Sequence, residues 1–232
     1  MLTENAVILI TRPKAQAELF AKACRGALGE KVEIIISPLI EIEFPPLCIP
    51  IEKYSGLVFS SQNAVQAYLK NCENKILPAF CVGKRTASVA KDAGLQAISA
   101  DGDADDLVDL IAKENPKGRL LHIHGQETRG NIVPRLNACG IKADSIIAYQ
   151  QTPVALSDQA QTALAGEKCV ILPLFSPRTA CLFFSNAKQI NAPLRCIVIS
   201  EAVKAAISET GFLDVVVAQT PDAAAMLRAI VA

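Results

Sequence analysis

Five polar clusters each follow a Val- and Ile-rich run: Thr11-Arg12-Pro13, Ser60-Ser61-Gln62-Asn63, Gly83-Lys84-Arg85-Thr86, Gly125-Gln126-Glu127-Thr128-Arg129 and Ser176-Pro177-Arg178-Thr179. Each joins hydroxyl or amide donors to the expected start of a helix, and most carry a cation. Free N–H groups and a partial positive charge at a helix N-terminus suit an anionic ligand, and in open α/β sheets ligands collect beyond the carboxyl ends of the strands. Any one of these hydroxyls is better explained as an N-cap, so the signal lies in the set. Tyr149 ends a strand-like run from Ala143, where its phenol could donate a hydrogen bond to a leaving oxygen. From position alone it reads more readily as a packing tyrosine with its hydroxyl in water.

Other chemistries lack their residues. There is no GxGxxG after the first strand, no GxxxxGK[ST] and no GxSxG, so a dinucleotide, a P-loop nucleotide and an esterase elbow are not indicated. His122 and His124 alternate along one strand and share a face, but no acid or Cys stands at ligand spacing, which favours structural histidines. The eight cysteines come no closer than the nine positions between Cys72 and Cys81, so no CxxC exists for zinc or thiol redox work. Asp101, Asp103, Asp105 and Asp106 lack the Glu that completes a calcium loop and read as helix N-terminal acids. None of these patterns indicates a metal site.

The elements that must position these clusters are legible as periodicity. Ten short apolar runs (residues 6–10, 32–36, 56–60, 79–82, 96–100, 119–124, 143–149, 168–175, 195–200 and 214–218) alternate with amphipathic stretches, as in parallel sheets covered by helices on both faces. Ten strands suggest two sheets of five. Ser157-Asp158 can start a helix, Thr220-Pro221-Asp222 starts another with Pro in its first turn, and Gly94, Gly140 and Gly211 mark helix ends.

Internal similarity organises the elements. Phe59-Ser60-Ser61 recurs 116 positions later as Phe175-Ser176-Pro177, and Val82 to Gly94 matches Ile199 to Gly211. The unit from Ile8 to Arg12 resembles that from Leu121 to Gly125, but in reversed chain order. The expected arrangement is a discontinuous domain of residues 1–37 and 153–232 with residues 40–150 inserted as a circularly permuted copy. Two Pro-marked crossings, Ser37 to Ile42 and Ala148 to Pro153, would join them, with a ligand cleft between.

The 232 residues carry 23 Lys+Arg and 23 Asp+Glu, so no whole-molecule field draws in nucleic acid or an anionic membrane. The chain shows no leader-like start and no apolar run of about 18 residues, and with scattered thiols the cytoplasm is the expected setting.

These residues resemble the uroporphyrinogen-III synthase family. The likeness is carried by Ile10 to Pro13, Pro38-Leu39-Ile40, Phe59 to Val65, Val82 to Ala87, Gly125 to Arg129, Tyr149 to Thr152 and Phe175-Ser176-Pro177. The resemblance implies two flavodoxin-like α/β domains on a two-stranded linker. It implies an enzyme that closes hydroxymethylbilane, a linear tetrapyrrole, into uroporphyrinogen III with loss of water and inversion of ring D through a spiro intermediate. Catalysis would then rest on folding the substrate and on fixed hydrogen-bond donors, with no metal or organic cofactor needed. Tyr149 becomes the donor to the departing hydroxide, while Ser61, Asn63, Thr86, Gly125 and Ser176, with helix N-terminal amides, hold acetate and propionate groups. Arg12, Lys84, Arg129 and Arg178 offset their charge. One departure is Ile199-Ser200-Glu201, where the family often has Gly and paired hydroxyls. A cytoplasmic monomer in transient contact with the preceding pathway enzyme is implied. The alternative is a non-catalytic two-domain receptor for a small anion.

Overall fold

The computed structural model describes residues 6–30, 32–128, 130–207 and 214–231. It divides into two compact units, Met1–Glu41 with Thr152–Ala232, and Ile42–Gln151.

The first unit contains β1 (Ala6–Ile10), α1 (Lys14–Leu28), β2 (Glu33–Ile36), α6 (Asp158–Ala165), β9 (Cys169–Leu174), α7 (Pro177–Asn186), β10 (Leu194–Val198), α8 (Glu201–Ala205), β11 (Asp214–Val217) and α9 (Ala223–Val231). Its sheet runs β11-β10-β9-β1-β2, with all pairs parallel. Alternation along β1 feeds two cores. Val7 and Leu9 pack with Leu164, Ala180 and Phe183 on one face. Ile8 and Ile10 pack with Phe20, Cys24 and Met226 on the other. Each large buried side chain of this kind contributes about 1.5–3 kcal/mol over its exposed state.

The chain leaves this unit along β3 (Ile40–Glu43) and returns along β8 (Ala143–Pro153). Between them lie β4 (Gly56–Phe59), α2 (Gln62–Asn71), β5 (Pro78–Cys81), α3 (Lys84–Asp92), β6 (Gln96–Ser99), α4 (Ala104–Glu114), β7 (Leu120–Gly125) and α5 (Ile132–Ala138). The second sheet is six-stranded, β3-β8-β7-β4-β5-β6, and its core-forming pairs are parallel. The eleventh strand is β3, a short IEIE segment that gains its partner, β8, only through pairing distant in sequence. Among the described residues, the expected two sheets of five are therefore a sheet of five and one of six.

Both sheets share one layout. β2-β1-β9-β10-β11 in the first corresponds to β8-β7-β4-β5-β6 in the second, the 2-1-3-4-5 order, with the two blocks exchanged along the chain. The register within this likeness differs by one residue from the sequence match. Ser61 caps α2 by accepting from Ala64 N–H, and Ser176 caps α7 by accepting from Thr179 N–H. The capping serines are the equivalent pair, so Phe59 corresponds to Leu174 and Ser60 to Phe175. Core faces agree: Val65 and Tyr68 lie in one core as Ala180 and Phe183 lie in the other.

Ser157 caps α6 as its sequence suggests. α9 instead begins at Ala223 with Asp222 accepting from Ala225 N–H, so Pro221 precedes the cap and is not in the first turn. Gly94 and Gly140 sit at positive φ where helices stop, whereas Gly211 lies outside the described residues.

Candidate functional site

In the second unit, chain order reverses between β4 and β7: β5 and β6 extend the sheet on one side of β4, and the chain then returns to β7 and β8 on the other. A crevice forms beyond strand ends at such a switch point. Ser60 and Ser61 stand at one lip, and Gly125 and Gln126 at the other.

Tyr149 enters this crevice through a bulge. His124 pairs with Ile147, but Gly125 pairs with Tyr149, so Ala148 is the extra residue and Ala148 and Tyr149 both face the same core. A bulge re-aims the side chain that follows it. Here it lays the Tyr149 ring against Gly125, where a Cβ would come within 2.6 Å of the ring carbon bearing the hydroxyl. Gln126 N–H donates to the Tyr149 carbonyl at 2.9 Å and closes the strand end. Phe44 packs at 6.3 Å between ring centroids, and Tyr149 is 7% exposed.

The phenolic oxygen lies 3.0 Å from Ser61 Oγ. Since Ser61 Oγ already accepts from Ala64 N–H, its own proton can be given to the Tyr149 oxygen. The phenolic proton is then available to a third group. A small recess of about 30 Å³ is lined by Gln126, Glu127, Tyr149 and Gln151. It is at most about a tenth of the roughly 300–1,000 Å³ of pockets that enclose drug-sized ligands, so it admits only a small group at one end of a long ligand.

Other residues singled out in this unit are spread along neighbouring strand ends. Asn63 is partly buried in the first turn of α2. Thr86 is buried in the first turn of α3, and Lys84, exposed at the start of that helix, forms an ion pair with Asp101 at 3.3 Å. α3 starts at Gly83, which has no side chain to cap its first-turn amides. Arg129 lies outside the described residues. The first unit repeats the switch point between β1 and β9, where the Arg12 guanidinium lies 3.9 Å over the Phe175 ring and Phe20 meets that ring edge-on. Ser176 also exchanges a 2.8 Å hydrogen bond with Thr179, and Arg178 follows in the first turn of α7. Ser200 makes no side-chain cap bond, and Glu201 begins α8.

Sequence reading assigned no role to Gln151 and treated His122 as merely structural. His122 Nε2 lies 3.2 Å from Ser60 Oγ, and its ring stacks 4.8 Å from that of His124. Burial first, and His124 second, push the His122 pKa down to about 3, so the ring is neutral at pH 7. His124 Nδ1 donates to the Gly125 carbonyl at 2.7 Å. Among the described residues, no three His, Cys, Asp or Glu side chains gather as metal ligands, and no helix is long and apolar enough to cross a membrane.

Comparison with known proteins agrees with this architecture. A uroporphyrinogen-III synthase from Chlorobaculum parvum is 27% identical over 244 residues, spanning 96% of this chain and 97% of its own. The solved uroporphyrinogen-III synthetase of Helicobacter pylori shares the fold with a TM-score of 0.68 at 18% identity over 98% of each chain. A mutant uroporphyrinogen III synthase from Thermus thermophilus does so at 0.51 and 16% identity over 97% of each. The family model for uroporphyrinogen-III synthase HemD matches residues 21–228, and the chain belongs to the uroporphyrinogen-III synthase family.

Proposed function

We propose that the crevice beyond β4, β7 and β8 handles the reacting end of hydroxymethylbilane, with Tyr149 as the proton donor to the departing hydroxyl. The family reaction closes this linear tetrapyrrole to uroporphyrinogen III, losing water and inverting ring D. As the C–O bond breaks, the lone pair of the pyrrole nitrogen, which keeps its proton, forms an azafulvenium cation, and the oxygen leaves with the phenolic proton as water. Ser61, donating to the tyrosine oxygen, stabilises the charge left there until a proton released from the closing ring restores the phenol. The observation that carries this reading is the 3.0 Å Tyr149–Ser61 contact in the recess at Gly125.

The rest of the substrate's carboxylates fall to donors at the other strand ends. The uncapped first turn of α3, with Thr86 and Lys84, offers amides, a hydroxyl and a cation, and Asn63 adds an amide. Arg12, Ser176 and Arg178 do the same work in the first unit, with Gly125 giving room at the crevice floor and Arg129 following it in sequence. Uncatalysed closure gives the uninverted type I isomer, so the protein's task is to hold the chain in the geometry that directs attack to the substituted carbon. We read the protein as a cytoplasmic monomer that takes its labile substrate by transient contact from the preceding enzyme.

The test is Tyr149→Phe with freshly generated hydroxymethylbilane and separation of the isomers. Type III formation should fall about 10²- to 10⁴-fold, the range for loss of a general acid, with circular dichroism unchanged. Near-full type III formation removes Tyr149 from the chemistry. Formation of type I alone by the unaltered protein overturns the reading as a whole.

A further inference from the structure

We propose that His122 is a positioning residue for this reaction: its imidazole holds the Ser60 hydroxyl and so fixes the adjacent Ser61 against Tyr149. The inference rests on the role assigned to Tyr149 above.

Three observations carry it. His122 is 3% exposed, and its Nε2 meets Ser60 Oγ at 3.2 Å across the β4–β7 pair, where Val58 faces His122 in register. A buried imidazole needs a hydrogen-bond partner, and this one finds it on the residue immediately before the serine that touches Tyr149. Ser61 itself is extended (φ −155°, ψ 158°), so a small swing of the 60–61 peptide would carry Ser61 Oγ away from the phenol.

The sister unit supplies the third. With the capping serines Ser61 and Ser176 in register, Gly56 corresponds to Ile171. Gly56 pairs with Leu120 and Ile171 with Ile8, so Leu120 corresponds to Ile8 and His122 to Ile10. Ile10 is fully buried in hydrocarbon, and the counterpart of Ser60 is Phe175, a ring that packs on Phe20 and Arg12. The same junction is thus closed by apolar side chains where no Tyr–Ser pair depends on it. The architecture does not require the imidazole, and a polar pair stands only beside the crevice that holds Tyr149.

The sister unit also supplies the test. His122→Ile grafts the residue that this junction already accommodates, so the variant should fold with a Tm at or above that of the parent. We expect kcat for type III formation to fall about tenfold with KM within twofold, and Ser60→Ala to behave alike. The double variant should be no worse than either single one, and His122→Gln, whose amide can reach Ser60, should recover most of the activity. In the Tyr149→Phe background, His122→Ile should add no further loss. The proposal is overturned if His122→Ile keeps the parent kcat, if its loss adds to that of Ser60→Ala, if the Gln variant is as impaired as the Ile variant, or if the loss persists undiminished without the phenol. A fully active Tyr149→Phe protein is a separate outcome: it overturns the Tyr149 reading first and this inference with it.

Discussion

Replacing Gly125 by Ala tests the recess without touching a polar group. Gly125 does not occupy the left-handed region, so Ala is compatible with its backbone and the effect is steric. The added Cβ would lie 2.6 Å from Tyr149 Cζ, 2.7 Å from Cε2 and 2.9 Å from the hydroxyl oxygen. Carbon atoms in contact sit about 3.5–4.0 Å apart, so the ring must retreat by about 1 Å. The Ser61 contact, now 3.0 Å, then lengthens beyond the range of a useful hydrogen bond. A displacement of about 1 Å at a reacting group can cost about 10²-fold in rate, equivalent to about 2.7 kcal/mol of transition-state stabilisation. Overpacking of this kind costs about 1–3 kcal/mol of stability. The assay is the initial rate of type III formation, with spontaneous type I closure as internal reference and thermal melting alongside. Type III formation should fall about a hundredfold in a folded protein, and Gly125→Ala should add little to Tyr149→Phe. A variant retaining more than half the parent rate would refute the reasoning, as would a crystal structure of an impaired variant with the ring unmoved.

Three further outcomes follow from burial and charge. His122 has a folded pKa of about 3 against 6.5 for the ordinary side chain, so between those values the unfolded chain binds more protons. Its contribution to stability is complete above about pH 6.5 and lost as pH falls toward 3, at up to about 1.4 kcal/mol per pH unit. Denaturant melts from pH 7 to 4 should show this slope, and His122→Ile should reduce it; equal slopes would count against burial of the ring. Burial raises the thiol pKa of Cys24 to about 11 and those of Cys81 and Cys196 to about 12, while Cys48, Cys139 and Cys181 are exposed. Brief alkylation of the native protein, read by peptide mass, should label the exposed three first; early labelling of Cys81 would contradict the packing of β5. Asp101, at φ 61°, faces Lys84 in a solvent-exposed ion pair, which screening keeps weak. Asp101→Asn, which tolerates that backbone, should lower KM about two- to threefold by releasing Lys84 toward substrate carboxylates, and an unchanged or higher KM would remove Lys84 from binding.

The parts of this molecule legible in its sequence are those written locally. The helix-capping roles of Ser61, Ser157 and Ser176 are set by hydroxyls a few residues from the amides they receive, and the alternation Val7, Ile8, Leu9, Ile10 already implies a strand buried on both faces. The one-residue slip in the internal match has a physical origin. Phe59 and Phe175 look equivalent as letters, but Phe59 fills a core at the end of β4, whereas Phe175 lies beyond the end of β9 and stacks under Arg12. Side-chain identity outweighed position, and only the caps and strand pairings separate the two.

What was hidden depends on pairing across long stretches of chain. Ser60 and His122 are 62 residues apart, and Ser61 and Tyr149 are 88 apart, so neither contact leaves a local pattern. The aim of Tyr149 depends on one extra residue, Ala148, in the β7–β8 ladder; without the bulge, strict alternation would turn the ring to the other face. Charge follows the same logic. A balance of 23 against 23 argues against a field over the whole molecule, yet it does not show that Arg12 is stacked on Phe175 or that Lys84 faces Asp101. Lys84 faces Asp101 in an exposed ion pair, whereas Arg12, stacked face-on, keeps its charge and its N–H edges, so added carboxylates can be met by these cations or by uncharged donors such as the α3 amides. Binding through amides loses little affinity with rising salt, whereas binding through the cations weakens markedly. The salt dependence of KM therefore separates the two modes: a marked rise of KM with salt assigns the carboxylates to Arg12 and Lys84, and a weak one assigns them to the amides.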